Sequence, residues 1–83
     1  MKKVYIIRFE ELDCEGHYSS GISYVFDTQE KAQKMLKIIK KDEMIYYEDR
    51  NDIENFIKEN EHTLIFDFLD EYTEYEIVEM EVK

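Results

Sequence analysis

The sequence lacks several features that define large classes of proteins. Cys14 is the only cysteine, which excludes an internal disulfide. Only four apolar residues separate Lys3 from Arg8, so the first residues do not have the pattern of a signal peptide. No apolar run approaches the length of about 18 residues that a membrane span requires. These absences predict a protein of a reducing compartment, the cytoplasm, that does not enter a membrane.

Proline and tryptophan are absent, and Ala32 is the only alanine. The core must therefore consist of larger side chains, namely Ile, Leu, Val, Phe, Tyr and Met. Apolar residues make up 43% of the chain, which is too much for a disordered acidic tail. Since 83 residues suffice for one domain and not two, we expect residues 1–83 to form a single domain. The abundance of Lys, Glu, Ile, Asn and Tyr is typical of an AT-rich bacterial or phage genome.

Positive charge is scarce in the second half of the chain. The net charge is −10, but residues 1–41 carry +2 and residues 42–83 carry −12. A protein that binds DNA or RNA directly needs cations to neutralise phosphates, so this balance argues against direct nucleic-acid binding. Anionic membrane surfaces would repel the chain for the same reason.

Alternating apolar residues predict two strands near the start. Residues 3–10 place Val4 and Ile6 on one face and Tyr5, Ile7 and Phe9 on the other, which favours a central position in a sheet. Residues 21–27 form a second strand with one apolar face, made of Ile22, Tyr24 and Phe26. The connection of about ten residues favours an antiparallel hairpin.

A long helix follows the second strand. Asp27 is the predicted N-cap, with Glu30 three residues later in the position of a capping box. An apolar stripe at helical spacing continues from there, made of Ala32, Met35, Leu36 and Ile39. Five lysines cover the rest of the helix, namely Lys31, Lys34, Lys37, Lys40 and Lys41. In a chain this acidic, we interpret them as solubilising or neutralising groups.

The second half gives weaker patterns. Residues 42–49 either extend the helix or form a short strand, and a capping pattern at Asn51 and Glu54 predicts a second, short helix over 51–60. Residues 63–69 fit a strand or a helix, and their Phe, Ile and Thr content favours the strand. Residues 74–82 alternate as a strand whose charged face we expect in water, near a sheet edge.

Three stretches, KVYII, GISYVFDTQEKAQKML and EYEIVEMEV, resemble a loose group of short, uncharacterised bacterial and phage proteins. The likeness covers residues 1–41 and 72–83, while residues 42–71 look like an insertion. It implies a fold and no activity. Together with the patterns above, it predicts an α+β domain with an antiparallel or mixed sheet of three to four strands, and one long and one short helix packed on one face.

Residues 14–21, CEGHYSSG, concentrate reactive side chains. Catalysis by Cys14, His17 and Ser19 would need a group that orients the imidazole and an oxyanion hole, and no nucleophile elbow is present, so a loop is favoured. Cys14 and His17 supply only half of a zinc site. The acidic run Asp49, Asn51, Asp52 and Glu54 lacks the central glycine of a calcium loop. We therefore predict no catalytic residue, metal or cofactor.

The acidic half carries more charge than solubility requires. We therefore expect a small acidic protein-binding module, a phage or bacterial inhibitor or regulator that presents a negative surface to a basic partner protein. The surface could imitate nucleic acid to a nucleic-acid-binding protein. Tyrosines would anchor the contact beside the carboxylates. The predicted binding residues are Glu48, Asp49, Asp52, Glu54, Asp70, Glu71, Glu74, Glu76, Tyr46, Tyr47 and Tyr72.

Two alternatives remain open. The chain could be a self-associating accessory protein without enzymatic activity, in which the lysine-rich helix of one copy meets the acidic half of the next. An acidic surface without any partner is also compatible with the composition.

Overall fold

Five antiparallel strands and one α-helix make up the part of the protein that the structure describes. The computed structural model describes residues 2–49 and 53–82. In chain order these form β1 (Lys2–Leu12), β2 (Tyr18–Phe26), α1 (Gln29–Tyr46), a 3-10 turn (Ile53–Phe56), β3 (Ile57–Glu59), β4 (Thr63–Asp67) and β5 (Tyr72–Val82). The strands lie in the order β2-β1-β5-β4-β3. The predicted α+β class is confirmed, but the described sheet has five strands rather than three or four.

Strands β1 and β2 form the predicted hairpin, and both are longer than the sequence indicated. Their register shifts once, because Tyr24 pairs with Ile7 and Ile22 pairs with Arg8, so that Ser23 is skipped. Successive residues of β1 point to opposite faces, and therefore Ile22 and Tyr24 also do. The prediction that Ile22, Tyr24 and Phe26 share one face is thus wrong for Ile22.

Helix α1 begins one residue later than the sequence indicated. Thr28 is the N-cap in extended conformation, and its Oγ1 accepts a hydrogen bond from the Lys31 amide at 3.2 Å. Asp27 instead accepts a hydrogen bond from Lys31 Nζ at 2.9 Å. The helix continues to Tyr46, so residues 42–46 extend it, which was one of the two readings left open.

The core lies between α1 and one face of the sheet. Ala32, Leu36 and Ile39 from the helix meet strand residues that are almost completely buried, chiefly Ile7, Leu64, Phe66 and Ile77. Removing Leu- or Phe-sized groups from water contributes about 1.5–3 kcal/mol each. The opposite sheet face, here called the open face, carries residues of alternate positions such as Ile6, Val25 and Val78.

Three predictions for the second half can now be compared with the structure. Residues 63–69 do contain a strand, β4. Residues 53–59 do not belong to the α-helix predicted over 51–60, since they form a four-residue 3-10 turn followed by β3. The predicted start at Asn51 lies outside the described residues. Strand β5 is central rather than near an edge, because it pairs with both β1 and β4.

Candidate functional site

The C-terminal end of α1, the end of β1 and the start of β5 meet at one end of the sheet. Glu11 of β1 pairs with Thr73 of β5, and the Tyr75 O–H donates a 3.0 Å hydrogen bond to Oε1 of Glu43 on α1. A cleft of about 270 Å³ opens between these elements. We call it the acidic cleft, and its lining residues are Glu11, Leu12, Asp13, Glu43, Tyr46, Tyr47, Glu71 and Thr73.

Glu43 is the least usual of these residues because it continues the apolar stripe of α1. It follows Ile39 by four positions and therefore faces the sheet. Partial burial raises the pKa of its carboxyl, the hydrogen bond from Tyr75 opposes that rise, and the nearby charges of Glu11, Asp42 and Glu71 add to it. A carboxylate held among others in partly desolvated surroundings gains more from an approaching cation than a fully solvated one does.

Two adjacent tyrosines form one wall of the acidic cleft. Tyr46 is 74% exposed, while Tyr47 is buried and packs against Phe66 and Phe68, with ring centroids 5.8 and 4.7 Å apart. Burial raises the pKa of Tyr47 to about 12, so it is a neutral phenol at physiological pH. The two tyrosine rings meet edge to face at 4.8 Å. The wall therefore combines a fixed ring with an accessible one, which is the arrangement of an apolar anchor.

The fold divides the residues predicted for partner binding into separate groups. Tyr46, Tyr47 and Glu71 line the acidic cleft, and Asp70 precedes Glu71 in the connection from β4 to β5. Tyr72, Glu74 and Glu76 lie on the open face, where the sheet separates them from α1. Burial and the charges of Glu74, Asp67 and Glu10 raise the pKa of Tyr72.

The remaining predicted residues lie apart from both groups. Glu48 and Asp49 are exposed in the turn after α1. Glu54, in the 3-10 turn, lines a different cavity with Lys40 and Met44. Asp52 lies outside the described residues.

Several carboxylates of the sheet have cationic partners. Glu76 lies 3.4 Å from Arg8 Nε, and Glu79 lies 3.3 Å from Lys3 Nζ. Asp67 is 3.7 Å from Lys58. Alternation also sends Glu76 and Glu79 to opposite faces of β5. These carboxylates therefore do not add up to one negative row along the strand.

Glu11, Asp13 and Glu43 were not among the predicted binding residues, and only Glu11 and Asp13 belong to the half with a net positive charge. A signal for Glu43 is present in the sequence, since it falls on the same helical stripe as Ala32, Leu36 and Ile39. Glu11 and Asp13 have no such signal. They reach the site only because β1 and β5 are antiparallel neighbours, which brings the end of one strand to the start of the other.

The stretch CEGHYSSG forms a turn followed by the start of β2 at Tyr18. The loop prediction is therefore confirmed only for its first half. Asp13 accepts hydrogen bonds from the Glu15 and His17 amides, both at 2.9 Å, and these bonds lower the pKa of its carboxyl. His17 Nδ1 lies 3.1 Å from Asp13 Oδ2. Gly16 takes a positive φ of 87°, which suits a residue without Cβ. Asp13 thus organises the turn that borders the acidic cleft.

The rest of the described chain offers fewer chemical features. No group of three or more His, Cys, Asp or Glu within residues 2–49 and 53–82 is arranged to hold a metal ion. A larger groove of about 680 Å³ runs between α1 and the β3–β4 hairpin, and its lining includes Lys37, Glu59 and Glu61. None of the helices in these ranges is both long and apolar enough to cross a membrane.

Comparison with known proteins gave no match, either to protein-family models, to curated proteins or to solved structures.

Proposed function

We propose that this protein is a small acidic binding module whose acidic cleft receives a lysine or arginine side chain of a basic partner protein. The observation that carries the proposal is the convergence of Glu11, Asp13, Glu43 and Glu71 on one cleft beside Tyr46. An incoming cation would neutralise carboxylates that raise the pKa of Glu43, and its aliphatic stem would lie against the tyrosine ring. Association would be accelerated by the net charge of −10.

Imitation of nucleic acid has less support than a cleft for individual basic side chains. A mimic of the phosphate backbone needs a regular, uncompensated row of anions. Along β5, Arg8 and Lys3 accompany Glu76 and Glu79, and the two carboxylates face opposite sides of the sheet. The proposal includes a phage or bacterial origin for this protein and a role as inhibitor or regulator of its basic partner. That partner would itself be a nucleic-acid-binding protein.

Head-to-tail self-association through the lysine-rich helix also has little support. Lys31, Lys34 and Lys40 lie within 4 Å of Asp27, Glu30 and Glu59 of the same chain. Lysines already engaged in this way have less to gain from the acidic half of another copy.

The test is capture of partners from a bacterial lysate at low salt, with stepwise salt elution, on three immobilised proteins. These are the natural chain, the cleft variant Glu11→Gln/Glu71→Gln, and the control Glu61→Gln/Glu81→Gln, which removes the same charge from exposed positions outside the cleft. We expect the natural chain and the control to retain the same basic protein and the cleft variant to release it at markedly lower salt. Equal release from both variants would show that total charge alone attracts it, and would contradict the proposal.

A further inference from the structure

Strand β2 is an edge of the sheet and carries no charged side chain. Its sequence, YSSGISYVF, lies within an eleven-residue stretch, 16–26, that is free of Asp, Glu, Lys and Arg, in a chain that is 39% charged. Each of the other four strands in the described part of the chain contains at least one charged residue. Lysine and proline usually block edge strands from pairing with other chains, and β2 has neither.

The exposed side of β2 is also apolar. On the open face, Tyr18, Ile22 and Val25 are each 60–63% exposed. Val25 is opposite Ile6 of β1, which pairs with Val78 of β5, whereas Ile22 is opposite Arg8. The apolar patch therefore reaches the edge at Val25, as expected at a surface that another strand covers.

We propose that β2 is the interface of a two-fold symmetric homodimer, in which two copies pair antiparallel through this edge into a ten-stranded sheet. The proposal is independent of the function of the acidic cleft. A second copy is the occupant because β2 is complementary to itself. Its first half holds small residues, Ser19, Ser20 and Gly21, and its second half holds large ones, Tyr24, Val25 and Phe26.

A two-fold axis at Ile22 sets Ile22 opposite its own copy and brings small residues opposite large ones in the pairs on either side. When Ser23 is skipped in both copies, Ser20 faces Val25 of the second copy and Gly21 faces Tyr24. Each pair also lies on one face of the sheet, since Ser20 and Val25 belong to the open face and Gly21 and Tyr24 to the helix face. The bulge therefore preserves the alternation across the dimer.

The charges at the two ends of β2 favour the antiparallel arrangement. Glu11, Asp13 and Glu15 lie near its N-terminal end. At its C-terminal end, Asp27 is approached by Lys31 and Lys2, and both lower the pKa of its carboxyl. Antiparallel pairing keeps the three carboxylates of the two copies at opposite ends of the paired edge, each beside an end where Lys31 and Lys2 offset Asp27. Parallel pairing would bring like charges together.

Sedimentation velocity of the natural chain from about 1 to 500 µM tests the association. Pairing along about 30 Å of strand is at the small end of specific interfaces, so we expect a monomer at the low end and a dimer at the high end of this range. Ser20→Lys should weaken the dimer at least about tenfold, because it adds a charge to the shared edge. Gln33→Lys adds the same charge on the helix side that faces β3 and should leave the dimer unchanged. A monomer throughout, or equal effects of the two variants, would overturn the proposal.

The single exposed cysteine gives a second measurement that leaves β2 unchanged. Spin labels on Cys14 would lie beyond opposite ends of the paired strands, about 40 Å or more apart from the rise per residue. A distance below about 25 Å would mean that the copies meet through their acidic ends or in parallel, and no dipolar coupling at high concentration would mean that they do not pair. Either result contradicts the proposal.

Discussion

Two groups of carboxylates in this protein differ in what surrounds them. Glu76 and Glu79 on β5 each lie near a cation of β1, at 3.4 and 3.3 Å. Glu43 in the acidic cleft instead receives a hydrogen bond from a phenol and lies near the charges of Glu11 and Glu71. Residue counts treat all of these as equal negative charges. The structure shows that the first group is largely compensated within the chain, whereas Glu43 is held among carboxylates that raise its pKa.

The largest expected effect comes from removing the packing beneath the acidic cleft. Phe66 is completely buried and contacts Tyr47, which forms the cleft wall. We expect Phe66→Ala to lower the free energy of unfolding by about 3–5 kcal/mol, measured by urea denaturation, because it leaves a cavity. Leu69→Ala is the control, since Leu69 is fully exposed, and its effect should stay within about 0.5 kcal/mol. Comparable losses in the two variants would mean that this core does not support the cleft.

A smaller loss of stability distinguishes the carboxylate in the acidic cleft from those on β5. Tyr75→Phe removes the phenol that donates a hydrogen bond to Glu43, which leaves a half-buried carboxylate without that hydrogen bond. We expect a loss of about 1 kcal/mol at pH 7. Tyr5→Phe removes an exposed 3.3 Å bond to Glu79, whose carboxylate keeps Lys3, and should cost less than about 0.5 kcal/mol. A larger loss for Tyr5→Phe would contradict the distinction drawn between the groups.

The smallest expected effect is a change in melting temperature, which should rise when a carboxylate of the acidic cleft is removed and stay equal or fall slightly when one on β5 is removed. The folded pKa of Glu43 is raised above its ordinary value of 4.5, so ionisation costs the folded state stability as pH rises through this region. Glu43→Gln removes that cost and keeps an acceptor for Tyr75. We expect its melting temperature to equal that of the natural chain below pH 4 and to exceed it by a few degrees at pH 7.

The matched change on β5 is Glu76→Gln, which removes the partner of Arg8 and should leave stability unchanged or slightly lower at pH 7. Thermal melts of both variants between pH 3.5 and 8 provide the comparison. Destabilisation by Glu43→Gln at pH 7 would mean that the carboxylate is better accommodated than its surroundings indicate.

Elements with a strong local pattern were predictable. β1, β2 and α1 were found because β-branched and aromatic alternation, followed by a helical stripe, leaves one interpretation for each segment. The helix prediction for residues 51–60 failed because a capping pattern describes only a helix start. Ile57–Glu59 instead pairs with residues 64–66 of β4. The central place of β5 was missed because its charged side chains have cations on the adjacent strand, and neighbouring strands cannot be inferred from one strand alone.

The candidate site was predictable only for three residues of the second half of the chain. Tyr46, Tyr47 and Glu71 belong to the acidic half that the charge count singled out, and they do line the cleft. Glu11 and Asp13 come from the half with a net positive charge. Their contribution depends on pairing between residues more than sixty positions apart, which no local pattern encodes.

Ser23 has a consequence for how β2 tolerates changes of length. Because Ser23 is skipped in the pairing with β1, the alternation of faces along residues 18–22 is offset by one residue from that along residues 24–26. Deleting Ser23 would make Ile22 and Tyr24 successive residues of a regular strand, so that Ile22 would still pair with Arg8 and Gly21 with Phe9, each on its present face. Natural or engineered deletions should therefore be tolerated at this one serine, whereas a deletion between Tyr18 and Gly21 would turn the residues before it to the opposite face.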